Sequence, residues 1–213
     1  YTPDAEMNRV DKISGTGGAS PSGQIVDYDY DGPYRAGLKS LGNGVRSSLI
    51  YDAGRRLTSI ATSTVGGTIE SYAYGYDSEN NRLFERVDHA GGVSYAAMLD
   101  QGLYRLRNVK YGVTPTGVSG SAATFAGAPS REVSYDLDGV NNRTSVSESG
   151  AGVDAYVADA VNFYTSAGGH GYVRDDNANR TSDGTNTYAF DWANHMVGAI
   201  SATRQNVGLR TSV

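Results

Sequence analysis

Tyr51-Asp52-Ala53-Gly54-Arg55-Arg56-Leu57-Thr58-Ser59-Ile60 is the stretch on which the reading of this chain turns. An aromatic residue and an Asp lead into a short Gly-bearing turn, and Arg with an apolar residue leads out of it. Tyr76-Asp77 through Asn81-Arg82-Leu83 repeats the unit, and Tyr135-Asp136 through Asn142-Arg143 repeats it with extra turn residues. Looser copies stand at Tyr30-Asp31, at Asp100 with Arg105-Leu106, at Asp175 with Arg180, and at Asp191 with His195. The chain opens inside a further copy, with Tyr1, Asp4 and Asn8-Arg9-Val10, which reads as a processed product or a fragment. One unit repeated this often signals a stack of a single supersecondary element, not a pocket built around one reaction.

Between Asp52 and Asp100 the secondary structure is legible. From Thr68 to Tyr76 the side chains alternate: Tyr72, Tyr74 and Tyr76 fall on one face, Ile69, Ser71, Ala73 and Gly75 on the other. Period-two alternation of this kind predicts a strand. Gly66-Gly67 and Gly91-Gly92 read as hairpin turns. Asp77 to Asn81 supplies a second kind of turn, in which an Asp side chain accepts backbone N–H groups. Strand, Asp turn, strand, Gly turn and strand make an antiparallel meander, and no amphipathic helix pattern competes with it. The expected fold is all-β, a strip of consecutive hairpins over residues 1–213 as a single array. Two segments rich in Gly, Ser, Ala and Thr, 112–130 and 149–170, read as loop insertions or irregular hairpins on the outside.

Composition points the same way. Hydrophobic residues make up 38% and charged residues 19%, lean for a compact globule. Gly (28 residues) and Tyr (16, against 4 Phe) are abundant, as many short half-wet strands joined by turns require. A net charge of −5 points away from a nucleic-acid partner. With no Cys there are no disulfides and no thiolate metal sites. No apolar run approaches the roughly 20 residues of a membrane-spanning helix, and no signal peptide is visible.

The residue types that carry chemistry are present but not arranged for it. The Asp-to-Arg step is four or five residues, as from Asp52 to Arg56 and from Asp77 to Arg82, which brings the two side chains together across a turn. A structural ion pair is expected; a catalytic carboxylate is the alternative, and eight similar copies favour architecture. His89, His170 and His195 are far apart and never at metal-ligand spacing. Gly15-Thr16-Gly17 and Gly42-Asn43-Gly44 begin a dinucleotide fingerprint, but Ser20 and Ser47 stand where its third Gly belongs. Gly117-Val118-Ser119-Gly120-Ser121 is a flexible loop and not a nucleophile elbow. Asp136-Leu137-Asp138-Gly139 and Asp175-Asp176-Asn177 lack the closing bidentate acid of a calcium loop. Asn142-Arg143-Thr144 and Asn179-Arg180-Thr181 match the glycosylation sequon but coincide with the repeat's own turn. No cofactor is expected, and the chain is read as non-enzymatic.

The Tyr-Asp copies, with Leu41-Gly42-Asn43-Gly44-Val45 between two of them and Asn179-Arg180-Thr181-Ser182-Asp183-Gly184-Thr185 near the end, resemble the Rhs or YD-repeat proteins of bacteria. Those proteins are related to the shells of insecticidal toxin complexes and to teneurins. The resemblance implies a strip or part of a spiral β-shell, secreted or at the cell surface, that walls off or displays a partner. Tyr30, Asp31, Tyr51, Asp52, Arg56, Leu57, Tyr76, Asp77, Arg82, Leu83, Asp100, Arg105, Leu106, Tyr135, Asp136, Arg143, Asp175, Arg180 and Asp191 would then be structural repeat residues. Family members with a self-cleaving end carry a Pro- and Asp-rich signature that is not found after Asp191. Long members enclose a polypeptide cargo; eight copies are too few for that alone. The expected partners are therefore neighbouring repeats of a longer parent or identical copies of the chain. A surface adhesin or glycan-binding module using exposed Tyr and Trp192 is the alternative.

Overall fold

The computed structural model describes residues 2–3, 7–15 and 23–201, and the backbone of 204–208. The copy read at Tyr1 and Asp4 lies outside the described residues, as does the Gly15-Thr16-Gly17 run beyond Gly15. Strands take up more than half of the chain, and no helix occurs among the described residues. The chain divides after Arg131 into two compact units.

The first unit, residues 1–131, is an antiparallel meander. Its strands are β1 (Thr2–Pro3), β2 (Val10–Ser14), β3 (Gln24–Asp31), β4 (Arg35–Leu41), β5 (Arg46–Tyr51), β6 (Leu57–Thr64), β7 (Gly67–Tyr76), β8 (Arg82–Val87), β9 (Tyr95–Leu99) and β10 (Leu106–Tyr111). Each pairs with the next. The turn between β6 and β7 is Val65-Gly66, because Thr64 pairs directly with Gly67; it falls one residue before the Gly66-Gly67 turn expected from sequence. The segment expected as a loop insertion or irregular hairpin, 112–130, holds a hairpin of β11 (Thr114–Ser119) and β12 (Ala122–Ala126) with a register shift. Ala122 of β12 pairs with Met98, and the hairpin packs against β7, β8 and β9. Its small residues suit such close packing against the sheet, which is why composition alone mimics a loop.

That hairpin accompanies nearly all of the fully apolar core. Leu83, Phe84, Ala96, Ala97, Val109 and Val113 are buried, and Leu83 and Pro115 are the largest side chains with essentially no exposure. Elsewhere in the unit the two sheet faces are mostly half-exposed. Phe84 lies flat on Gly75, its partner in the β7–β8 ladder, where any Cβ would overlap the ring. Gly75→Ala should therefore cost about 2 kcal/mol through forced repacking, checked by urea denaturation; unchanged stability would show that the ring can move aside.

The second unit, residues 132–213, takes up the rest of β13 (Arg131–Leu137) and continues with β14 (Arg143–Glu148), β15 (Gly152–Ala158), β16 (Tyr164–Ala167) and β17 (His170–Gly171). A second sheet contains β18 (Val173–Arg174), β19 (Arg180–Ser182), β20 (Asn186–Phe190), β21 (Met196–Ser201) and β22 (Arg204–Gly208). The segment 149–170, expected as a loop insertion or irregular hairpin, holds β15 to β17, paired in succession with a register shift.

A register shift recurs immediately before most of the Asp turns, in both units. It lies at Asp29/Tyr30, Ile50/Tyr51, Gly75/Tyr76, Asp136/Leu137, Val157/Ala158, Val173/Arg174 and Ala189/Phe190. In each case the returning strand holds one residue that the ladder skips: Gly37, Thr58, Leu83, Thr144, Thr165, Thr181 and Val197. Such a bulge sharpens the local twist and re-aims side chains. Thr58 and Thr165 use their hydroxyls to satisfy the carbonyls of Ile50 and Val157 across it, at 3.1 and 3.2 Å. At Leu83 the same device turns an apolar side chain into the core.

Candidate functional site

The Asp turns share one geometry. In the four-step form the Asp N–H donates to the carbonyl of the residue four later, and the N–H of the residue three later donates back to the Asp carbonyl. Asp52 Oδ1 accepts the Arg56 N–H at 2.9 Å, and its Oδ2 accepts Arg56 Nε–H at 2.7 Å. Asp77 Oδ1 accepts from the N–H groups of Glu79 and Asn81, and Oδ2 from the Asn81 side-chain amide. Asp175 repeats this with Asn177 and Asn179, and Asp191 with Ala193 and His195. Asp100 reaches one residue further, to Arg105 at 2.6 Å. The residue just before the closing one takes a positive φ: Arg55, Asn80, Tyr104, Asn141, Asn162, Ala178 and Asn194. Asn dominates there because its short polar side chain tolerates the left-handed region.

Several expected pairings are corrected. Arg82 does not pair with Asp77; Asn81 occupies that place, and Arg82 meets Glu85 at 3.4 Å and the rings of Tyr74 and Tyr95. Asp136 is not a turn residue: its carboxylate accepts from Ser145 Oγ within the β13–β14 ladder, and Asp138 makes the turn with Val140 and Asn142. Leu57 and Leu106 follow the motif Arg as Leu83 does, but each pairs in register, with Tyr51 and Leu99, where the β7–β8 ladder pairs Arg82 and skips Leu83; Leu57 is half-buried and Leu106 is 39% exposed. Asp31 does face Arg35, at 3.2 Å, in a turn closed by Gly32 at φ +72°. Two Asp turns escaped the sequence reading. Asp159 caps Val161 and Phe163, and Asp183 caps Thr185 and Asn186 while accepting the Tyr188 hydroxyl at 2.6 Å. In the first, Asp followed three residues later by Asn was the available signal, hidden by the absence of a preceding Tyr and a following Arg.

The Tyr residues do more than stack. Arg9 lies over Tyr30, Arg35 over Tyr51 and Arg56 over Tyr76, at 4.1, 4.8 and 5.0 Å from the ring centroids. In each pair the Tyr hydroxyl donates to the carbonyl of the residue after that Arg: Val10, Ala36 and Leu57. One turn is thus fastened to the Tyr that introduces the next. A second fastening joins turn to turn. Arg56 Nη1 donates to the Asp77 carbonyl at 2.6 Å and to Asn80 Oδ1 at 3.1 Å. Asn142 reaches Asn162 at 3.0 Å, and Asn179 reaches Asn194 at 2.8 Å. Arg56→Ala loses the Asp52 contact, the Tyr76 stack and both bonds to the following turn. It should cost about 1–2 kcal/mol, against about 0.5 kcal/mol for Arg82→Ala, whose ion pair is more exposed. Equal losses in thermal denaturation would contradict the interlock.

These hydrogen bonds set the electrostatics. The backbone N–H of Arg56 holds the Asp52 carboxyl below the usual carboxylate range, that of Arg105 does so for Asp100, and that of His195 for Asp191. The Asn179 amide acts likewise on Asp175, and the Tyr188 hydroxyl acts most strongly on Asp183. Folded values below unfolded ones mean that this stabilisation is complete above about pH 4 and is lost as pH falls through the lower folded values. The thermal midpoint should be flat from pH 7 to about pH 5 and drop below about pH 4, with a shallower drop in Asp183→Asn. A midpoint that rose on acidification would contradict this.

An all-β antiparallel meander whose hairpin turns are linked side by side is the class of structure this geometry defines, an Rhs-like shell fold. Solved structures share it at low identity. A chain in the crystal structure of TcdB2-TccC3-Cdc42 is similar over 87% of this chain and 10% of its own length, with 16% identity and a TM-score of 0.50. TcdB2-TccC3 without its hypervariable C-terminal region is similar over 84% of this chain and 9% of that one, at 15% identity and the same TM-score. The Photorhabdus luminescens Tc holotoxin pore aligns over 84% of the chain at 13% identity, with a TM-score of 0.47 and 11% of that chain covered. The chain thus spans about a tenth of the length of the solved chains it matches. No protein-family model matches it, and no curated protein does.

Proposed function

We propose that the chain is a non-enzymatic wall segment, part of a β-shell or extracellular assembly that encloses or displays a partner, secreted or at the cell surface. The observation that carries this reading is the interlock. The carboxylates of Asp52, Asp77, Asp138 and Asp175 are spent on closing their own turns, and Arg56, Asn142 and Asn179 tie each turn to the next. Tyr30, Tyr51 and Tyr76 are likewise bonded by their hydroxyls to the backbone of neighbouring strands. Residues held this way stiffen a sheet, and their carboxylates are committed to it. The motif residues from Tyr30 to Asp191 are on this reading structural, with Asp138 in place of Asp136. The neighbours of the wall are further repeats of a longer parent or copies of this chain, and a polypeptide is the cargo that it would enclose.

Light scattering and electron microscopy of the full-length natural protein test the proposal. Closed shells or extended walls are expected; a dilution-resistant monomer of this chain with both sheet edges exposed would refute it. The adhesin reading is favoured by one observation, Trp192, which stands 94% exposed on the Asp191 turn. Glycan binding that disappears in Trp192→Ala, with unchanged stability, would replace the wall reading.

A further inference from the structure

Three arginines occupy the same place in the repeat, directly after the Asn that closes an Asp turn: Asn81-Arg82, Asn142-Arg143 and Asn179-Arg180. Two of them reach an aromatic ring on either flanking strand. Arg82 of β8 lies 5.4 Å from the Tyr74 ring of β7 and 5.9 Å from the Tyr95 ring of β9. Arg143 of β14 lies 5.5 Å from Tyr135 of β13 and 5.2 Å from Tyr156 of β15. Arg180 of β19 has one ring only, Tyr172, at the close distance of 4.2 Å. On its other side Tyr188 of β20 is diverted to the Asp183 carboxylate. No second ring among the described residues comes within reach of Arg180, and its guanidinium makes no hydrogen bond or ion pair there.

Beside Arg180 lies open space. A cleft of about 340 Å³ is lined by His170, Tyr172, Arg180, Asp183, Thr185 and Asn186. Its walls are set: Thr185 Oγ1 and His170 Nδ1 stand 3.3 Å apart, and Asp183 is saturated by N–H groups and the Tyr188 hydroxyl. Asp183 therefore does not compete for Arg180. A flat ring fits over a guanidinium plane that is already backed by Tyr172, and the uncommitted N–H edge of that plane matches a carboxylate in a two-point contact.

We propose that this cleft binds a small planar aromatic acid, its ring on Arg180 opposite Tyr172 and its carboxylate on the guanidinium edge. The site is independent of the wall function. Calorimetric titration of the whole protein with 4-hydroxybenzoate tests it. Saturable one-to-one binding is expected, weakened about tenfold in Arg180→Lys, which keeps the charge and loses the plane and the fork. Cyclohexanecarboxylate, an acid without the flat ring, and phenol, a ring without the acid, should each bind at least about fivefold more weakly. Thermal midpoints establish that the variant is folded, and amide resonances of residues 170–172 and 180–186 should shift in the native protein while those around Arg143 stay. Absence of saturable binding, affinity unchanged in Arg180→Lys, or equal affinity for cyclohexanecarboxylate would each overturn the proposal.

Discussion

Leu83→Ala should destabilise the first unit by about 3–4 kcal/mol, the largest effect expected of a single truncation in this chain. Leu83 has no exposed surface, and it is the residue that the β7–β8 ladder skips. The bulge drives it into the main apolar cluster, alongside Phe84, Ala96 and Ala97. Truncation removes buried methyl groups and leaves a cavity that a hydrogen-bonded sheet cannot collapse around. Leu57→Ala and Leu106→Ala, which follow the motif Arg but pair in register and do not stand at the bulge, should each cost clearly less. Urea denaturation with unchanged slope reads the difference. Equal losses at the three positions would mean that the motif, and not the local core, determines the value of the residue.

Asp77→Ala should cost about 3 kcal/mol, because Asp77 is only 4% exposed and its carboxylate satisfies three donors. The N–H groups of Glu79 and Asn81 and the Asn81 amide would be left without an acceptor. Asp77→Asn keeps one carbonyl oxygen for the two N–H groups but sets an amide against the Asn81 amide, so about half the loss is expected. Arg56 remains bound to the Asp77 backbone carbonyl in both variants, so the next-turn fastening should persist. Hydrogen exchange at Glu79 and Asn81 should accelerate in Asp77→Ala while the Asp52 turn stays protected. A variant that kept its stability but lost a defined activity would assign Asp77 to chemistry and not to architecture.

Much of the fold could be read directly. The alternation from Thr68 to Tyr76 appears as β7, and the Asp turns at residues 52, 77, 100, 175 and 191 fall where the motif places them. What misled the reading has identifiable causes. The Tyr-Asp pair at Tyr135-Asp136 imitates the motif two residues early, whereas Asp138, followed three residues later by Asn141 at φ +74°, makes the turn. The segments 112–130 and 149–170 have the composition of loops, yet their small residues form strands. Small side chains are what a hairpin laid closely on another sheet requires, and composition does not separate the two. The Tyr–Arg fastening was hidden by its spacing, since Arg56 and Tyr76 lie twenty residues apart and meet only across the β6–β7 hairpin.

The amino-acid sequence by itself determined the local conformations: period-two alternation for strands, and Asp with a turn-forming residue three positions on for the turns. These are decided within a few residues by backbone sterics and short-range hydrogen bonds. Tertiary structure alone decided which equivalent residues differ in consequence. Leu83 and Leu106 both follow the Arg of the motif, but only Leu83 is the residue that its ladder skips, where an overlying hairpin excludes water. Arg143 and Arg180 share a motif position, but only around Arg143 do both flanking strands bring a ring. Burial and ring contact depend on what strands distant in sequence place opposite a residue, and that is a property of the assembled sheet.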